Sequence, residues 1–314
     1  SSLDEGRELR HGGITMPILI LGHTPPEMVS QLIEYNITQA VSAKAKAEAY
    51  SAEAVKCGGT LRVHIKVDTG MSRLGFLVRG EHFETGVEAI AESCALPGLD
   101  PEGIFTHFSD ADGSEEYTML QFDRFLDILQ RVQALGHTFA IRHCANSAAT
   151  LLYPATYLDM VRPGIALYGH FPDGNMDPAL CDLQPVMEVK SRVVTVRTVP
   201  AGTPVSYGRT NVLQRQTRLA VVPIGYGDGY CRGFSNRLSV LFPGGQAPVT
   251  GRVCMDMCMV DVTDLPEVTE GSVAVIYGHT ENGEQPVEAG ATVMNTISYE
   301  LLCVLTRRIP RIYR

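Results

Sequence analysis

Nowhere in this 314-residue chain do apolar residues run for the roughly 18 positions that a bilayer-spanning helix needs. No signal-peptide pattern opens it. Positive charge is short: 26 Lys and Arg face 35 Asp and Glu, a net charge of −9. That balance argues against nucleic-acid partners and suits an enzyme of small metabolites. The eight cysteines (57, 94, 144, 181, 231, 254, 258 and 303) form no disulfide framework. Only Cys254 and Cys258 are close, and the residues between them read as strand rather than as a zinc knuckle, so no metal site is expected. Eight reduced cysteines point to the cytoplasm. Also missing are an internal repeat, a low-complexity linker and the glycine-rich strand-to-helix turn of dinucleotide-binding sheets. The chain does not start with Met, and Ser1-Ser2-Leu3-Asp4-Glu5-Gly6 reads as the interior of a longer sequence.

What is present is an ordinary globular composition, 45% apolar and 19% charged. Its most informative stretch is residues 62–76. Val63, Ile65 and Val67 alternate with His64 and Lys66, the period of a strand, and the pattern stops at the turn-forming Asp68-Thr69-Gly70. Arg73 follows on the loop. A strand delivering Asp, Arg and backbone donors to one edge resembles the carboxyl end of a barrel strand, where sites are usually built.

Strand and helix signals alternate on both sides of this stretch. Strands are expected at 17–22, 39–42, 62–67, 103–108, 140–146 and 158–164. Helices are expected at 5–11, from Pro25, up to Val55, and at 81–94 and 117–135, the last with apolar positions Leu120, Phe125, Leu129, Val132 and Leu135. Such alternation implies parallel βαβ units. Six units fit an open sheet, or a TIM-like (β/α)8 barrel whose first two βα units are absent from this chain. Beyond about residue 175 the texture becomes all-β. Strand-like runs at 186–198, 219–224, 238–242, 247–253, 258–262 and 273–277 are broken by Pro-Ala-Gly, Pro-Gly-Gly and Asp-Leu-Pro turns, and 295–305 is helical. The expected organisation is therefore a barrel domain over 1–175 and a mostly-β domain over 176–314.

Several motifs run in one order along the chain: Lys66-Val67-Asp68-Thr69-Gly70-Met71-Ser72-Arg73-Leu74-Gly75, Thr106-His107-Phe108, Ala145-Asn146-Ser147-Ala148-Ala149 and Val161-Arg162-Pro163-Gly164-Ile165. Val205-Ser206-Tyr207-Gly208, Ile224-Gly225-Tyr226-Gly227-Asp228-Gly229-Tyr230, Gly251-Arg252-Val253-Cys254-Met255-Asp256 and Asn295-Thr296-Ile297-Ser298-Tyr299-Glu300 continue the series. Together they resemble the alanine racemase family, a pyridoxal-phosphate barrel followed by a β domain. The resemblance implies interconversion of L- and D-alanine by two-base proton transfer on the cofactor-bound amino acid, supplying D-alanine for peptidoglycan. It also implies a homodimer with shared active sites and no nucleic-acid or membrane partner.

Racemisation removes a weakly acidic α-proton and returns one on the opposite face. The chemistry needs an electron sink, which pyridoxal phosphate provides, and a base on each face. By resemblance, one base is Tyr207, contributed across the dimer interface, with His107 and Arg162 linked to it by hydrogen bonds. Arg162 also resembles the arginine at the cofactor's pyridine nitrogen. Ser147, Gly164, Ile165 and Tyr299 would hold the phosphate, with His143 beside the ring. Arg73 would contact the cofactor's phenolic oxygen and the substrate carboxylate, and Met255 would meet that carboxylate through its backbone amide. Lys66 resembles a lysine that many members carbamylate; Tyr226, Arg232, Asp256 and Arg311 resemble entrance groups.

The other base, the family's Schiff-base lysine, has no counterpart among Lys44, Lys46 and Lys66. That departure leaves a fragment, a lysine lost with its neighbours, or a non-catalytic pyridoxal-phosphate-binding protein. A serine racemase is the nearest rival function, with pocket volume deciding. Tyr299 keeps the bulky side chain associated with alanine.

Overall fold

The computed structural model describes residues 1–174 and 176–313. Two compact units emerge, Ser1–Gly164 and Ile165–Arg314; the junction expected at residue 175 falls outside the described residues.

The first unit opens with α1 (Leu3–His11), held by a capping box. Ser2 Oγ accepts the Glu5 amide at 3.3 Å, and the Glu5 carboxylate accepts the Ser2 amide at 2.9 Å. Both bonds satisfy donors that a helix start would leave without partners. Next come β1 (Ile18–Ile20), α2 (Val29–Glu34), β2 (Ile37–Val41), α3 (Lys44–Lys56), β3 (Leu61–Asp68) and the short β4 (Phe76–Leu77). The unit continues through α4 (Phe83–Cys94), β5 (Leu99–Phe105), α5 (Glu115–Ala134), β6 (Ile141–His143) and α6 (Ser147–Leu152). Strands β1, β2, β3, β5 and β6 make one parallel sheet in chain order, with β4 pairing beside β3. Parallel neighbours need a crossover, and the helices supply it while covering one face.

Period-two alternation splits β3 between two jobs. Val63, Ile65 and Val67 join a core with Tyr50, Ile90 and Phe125, while His64, Lys66 and Asp68 occupy the other face, also buried. Helix α5 buries Phe122, Phe125, Ile128 and Val132; Leu120 and Leu135, expected on that stripe, are exposed. The strand expected at 158–164 is not a strand. Only Met160 bridges His143, in parallel, while the Asp159 and Arg162 amides donate to Arg142 O and Ala145 O at 3.1 and 2.9 Å. Leu158 at φ +50° and Pro163 prevent a continuous ladder, although the segment still runs alongside β6.

The second unit is antiparallel, as its turn-rich sequence implies. It contains β7 (Val189–Arg192), β8 (Thr195–Val199), β9 (Pro204–Val205), β10 (Asn211–Val212), β11 (Thr217–Val222), β12 (Ser239–Phe242), β13 (Gly245–Pro248), β14 (Cys258–Asp261), β15 (Val273–Thr280) and β16 (Gly283–Gln285). One sheet runs β13-β12-β15-β16 with β7 also on β15; another runs β14-β11-β8; β9 and β10 form a separate hairpin. The strand expected over 247–253 ends as β13 at Pro248; beyond it Val249 bridges Val260 and the Thr250 amide donates to Met259 O at 2.8 Å, so the chain passes from β12 to β14. Helices α7 (Val287–Met294) and α8 (Ser298–Cys303) follow, and α7 was not expected. They contribute Val287, Ala291 and Leu301 to a core with Phe234, Val240, Phe242 and Ile276. Among the described residues no helix is long and apolar enough to cross a membrane.

Candidate active site

Sheet register assembles the first half of the site. Lys66, Phe105 and His143 are partners in one row across β3, β5 and β6, at the carboxyl ends of the strands. The Phe105 ring is the shared platform. His143 stacks on it at 4.6 Å between centroids with 6° between the planes, and Lys66 Nζ lies 4.5 Å above its centroid. Arg162 Cζ lies 5.2 Å from the same ring.

Arg162 is the hub of this half. Nη1 donates to His143 Nδ1 at 2.6 Å, while Nη2 donates to Thr106 O at 2.8 Å and to His107 Nδ1 and Cys144 O at 3.2 Å each. A guanidinium can only donate, so both imidazoles accept at Nδ1 and carry their proton on Nε2. His143 Nε2 then donates to His64 Nδ1 at 2.8 Å, and His64 Nε2 faces Glu102 Oε1 at 3.4 Å. Thr38 donates to the same carboxylate oxygen at 2.8 Å. The hydrogen bonds therefore run in one direction, from Arg162 through two neutral imidazoles to the carboxylate of Glu102, a partly buried residue on the interior strand β5.

The electrostatics agree with that direction. Burial, and then the Arg162 charge, hold His143 down to about 2 and His107 down to about 3. His64 is also lowered, because burial outweighs the attraction of Glu102. Burial lowers Arg162 to about 10, which leaves it cationic at neutral pH. Lys66 falls to about 7, through burial first and then the charges of Arg162 and Arg73. Together these groups make a cationic, donor-rich floor suited to an anionic ligand.

Turn chemistry places the remaining groups of this unit. Asp68 Oδ1 accepts the amides of Gly70, Met71 and Ser72 at 3.0 Å each, which ends β3 and carries Arg73 out on an exposed loop. At the start of α6, Ser147 Oγ accepts the Gly164 amide at 2.8 Å. A Cβ built on Gly164 would meet nothing nearer than Ser147 Oγ, at 3.9 Å, so the backbone there faces open space. A hydroxyl and a glycine amide that meet at an uncrowded backbone, two residues after Arg162, can be offered to a phosphate in place of each other. The buried residues around them accordingly fit pyridoxal phosphate: a donor for a ring nitrogen, a ring stack and an anion cradle.

The second unit carries its own cluster. Tyr207 sits on the loop between β9 and β10 and is 71% exposed. Met255 tops a tight turn closed by the Cys254 amide on Met257 O at 2.9 Å. The Tyr226 amide donates to Cys254 O at 3.0 Å, and Arg308 pairs with Asp256 at 2.5 Å and with Asp228 at 3.4 Å. Tyr226, Met255 and Asp256 are thus brought together. Arg311 donates to Leu305 O, Thr306 O and Ile309 O of its own segment, and Thr306 in turn donates to Gly227 O and Asp228 O at 3.1 Å each, next to Tyr226. Arg232 begins a 3-10 turn at 232–234, Ile165 begins another at 165–168, and Tyr299 lies in α8.

Sequence reasoning missed His64, Phe105, Glu102, Thr38 and Arg308 as members of these clusters. His64 was within reach, since in a strand it shares a face with Lys66 two positions on. Glu102 was not, because a register shift between Val63 and His64 opposite β5 sets which side chains meet, and nothing local signals it.

Comparison with known proteins is consistent along the whole chain. The alanine racemase N-terminal domain model matches residues 1–172, and the alanine racemase C-terminal domain model matches 186–313. A protein of Desulforamulus reducens named alanine racemase is 46% identical over 312 residues, covering 99% of this chain and 82% of that protein. The solved alanine racemase of Clostridium difficile 630 superposes with a TM-score of 0.90 at 37% identity, covering 98% of this chain and 78% of that one. The alanine racemase from Bartonella henselae with covalently bound pyridoxal phosphate gives a TM-score of 0.87 at 29% identity, covering 99% and 83%.

Proposed function

The chain belongs to the alanine racemase family, with its barrel-type parallel domain and mostly-β carboxyl-terminal domain, and on that premise we propose that it racemises alanine with pyridoxal phosphate. The observation that carries the reading is Arg162 held between His143 and His107 over the Phe105 platform. Bound pyridoxal phosphate supplies the electron sink that makes an amino acid's α-proton removable. Arg162, a lasting cation, would keep the ring nitrogen beside it unprotonated. Ser147, the Gly164 and Ile165 amides and Tyr299 would hold the phosphate, and the His143 ring would flank the pyridine. Arg73 would bind the substrate carboxylate, assisted by the Met255 amide of a second copy, with Tyr226, Arg232, Asp256 and Arg311 near the entrance.

Proton transfer on one face falls to Tyr207 of the second copy. Its exposure in a single chain suits that role, and His107, with its proton on Nε2, can donate to the phenol oxygen. Because the groups divide between copies, the working unit is a homodimer. Lys66, lowered to about 7, is largely an un-ionised amine above neutrality. It can add carbon dioxide: a C–N bond forms, one proton leaves, and a carbamate anion replaces the ammonium near Arg73. With eight unpaired cysteines, the cytoplasm is the compartment that fits, and D-alanine for peptidoglycan is the product's use.

The test is racemisation of D-alanine by the full-length protein with pyridoxal phosphate, followed by circular dichroism. We expect turnover with D-alanine well ahead of D-serine, and loss of at least about a hundredfold in Tyr207→Phe. Faster turnover of D-serine would transfer the assignment to a serine racemase, and inertness toward both would remove it.

A further inference from the structure

The loop that carries Tyr207 has an unusual backbone. Strands β9 and β10 pair with Val205 opposite Asn211, so residues 206–210 close the hairpin. Ser206 sits at φ +61° and ψ −171°, Gly208 at φ +70° and Arg209 at φ +51°. A serine in that region is strained, since only glycine enters it freely, and such strain persists where surrounding bonds over-determine the conformation.

The restraint is visible. Ser206 Oγ donates to Arg252 O at 2.7 Å and lies 3.5 Å from Cys254 Sγ. Beneath it the 251–253 backbone is itself fixed: the Gly251 amide donates to Asn236 Oδ1 at 2.6 Å and the Val253 amide to Ser235 Oγ at 2.9 Å. Packing leaves no slack, because a Cβ on Gly251 would lie 2.7 Å from Val205 O and 2.9 Å from Ser206 Cβ. The anchored segment leads directly into Met255. One hydroxyl therefore ties the loop bearing Tyr207 to the turn bearing Met255.

We propose that Ser206 is a positioning residue: its bond to Arg252 O locks the strained backbone that aims the Tyr207 phenol and fixes its register with Met255. The inference rests on Tyr207 acting as a base. A proton acceptor must sit within hydrogen-bond reach of its proton, and small misplacements are costly in rate.

The experiment uses Ser206→Gly, which tolerates the backbone angles but lacks the tie, alongside Ser206→Ala and Tyr207→Phe in the full-length holoenzyme. Ser206→Gly should keep its fold and KM while kcat falls about tenfold. In D2O the ratio of α-hydrogen exchange to racemisation should rise, because a base on the other face still exchanges its hydrogen while the phenol fails; partial unfolding would lower both together. With 3-fluorotyrosine incorporated, the resonance missing from Tyr207→Phe should sharpen and move toward the free amino-acid position in Ser206→Gly. An unchanged resonance and exchange ratio in Ser206→Gly would overturn the proposal, whether or not Ser206→Ala folds. Full activity of Tyr207→Phe would instead defeat the catalytic reading of Tyr207, while the fluorine signal would still show whether Ser206 holds that ring.

Discussion

At the scale of single residues, the site is governed by groups that burial keeps from being charged. Lys66 is the sharpest case, with its pKa at about 7 in the folded chain against about 10.4 in an unfolded one. Between those values the unfolded chain binds a proton that the folded chain does not, so stability rises with pH across that window. Below pH 7 both states are protonated, and the full cost of burying the ammonium is felt. We expect the stability difference between Lys66→Met and wild type, from urea unfolding at pH 6 to 10, to shrink as pH rises. The slope should be at most about 1.4 kcal/mol per pH unit. His143 and His107, held at about 2 and 3, act in the same sense at lower pH: stability falls once the pH drops below roughly 6.5. Glu102 closes the hydrogen-bond run from Arg162. Glu102→Leu leaves His64 and the Thr38 hydroxyl without their acceptor and should cost about 1–3 kcal/mol in urea unfolding with an unchanged m-value.

At the scale of elements, β3, β5 and β6 build the site through register. His64 lies opposite Gly103, and a Cβ there would come within 2.5 Å of the imidazole. Gly103→Ala should therefore destabilise by about 1–3 kcal/mol. Ala at 103 combined with His64→Ala should recover part of that loss, and strict additivity of the two would show that the ring is not the obstacle. This contact also marks how far sequence reading reaches. The alternation in residues 62–67 and the turn at Asp68 placed β3 within a residue or two, and the strong helix signal at 117–135 placed α5. The segment 158–164 defeated the same reasoning, because it borrows only a bridge and two bonds from β6, and apolar content alone could not distinguish that from a ladder. Arg162, His107 and His143 were legible through a family resemblance. The Phe105 platform and the Glu102 terminus come from pairing across strands far apart in the chain, which no local pattern encodes.

At the scale of the molecule, the two units have separate cores, one drawn from residues 3–149 and the other from 189–305. Phe125 is fully buried in the first, so Phe125→Ala should cost about 3–5 kcal/mol there. Hydrogen exchange read by mass spectrometry should show protection lost in α5 and β3 while β12 and β15 keep theirs; equal loss in both would mean that the cores unfold as one. The candidate groups are parcelled between these units, Arg162 and His107 in the first and Tyr207 and Met255 in the second. If each site draws on both copies, two crippled proteins can repair each other. Mixing Tyr207→Phe with Arg162→Gln under conditions that let subunits exchange would make hybrids with one doubly damaged centre and one wholly intact. With half the dimers hybrid, about a quarter of the wild-type rate should return, whereas chains that each work alone would show no such complementation.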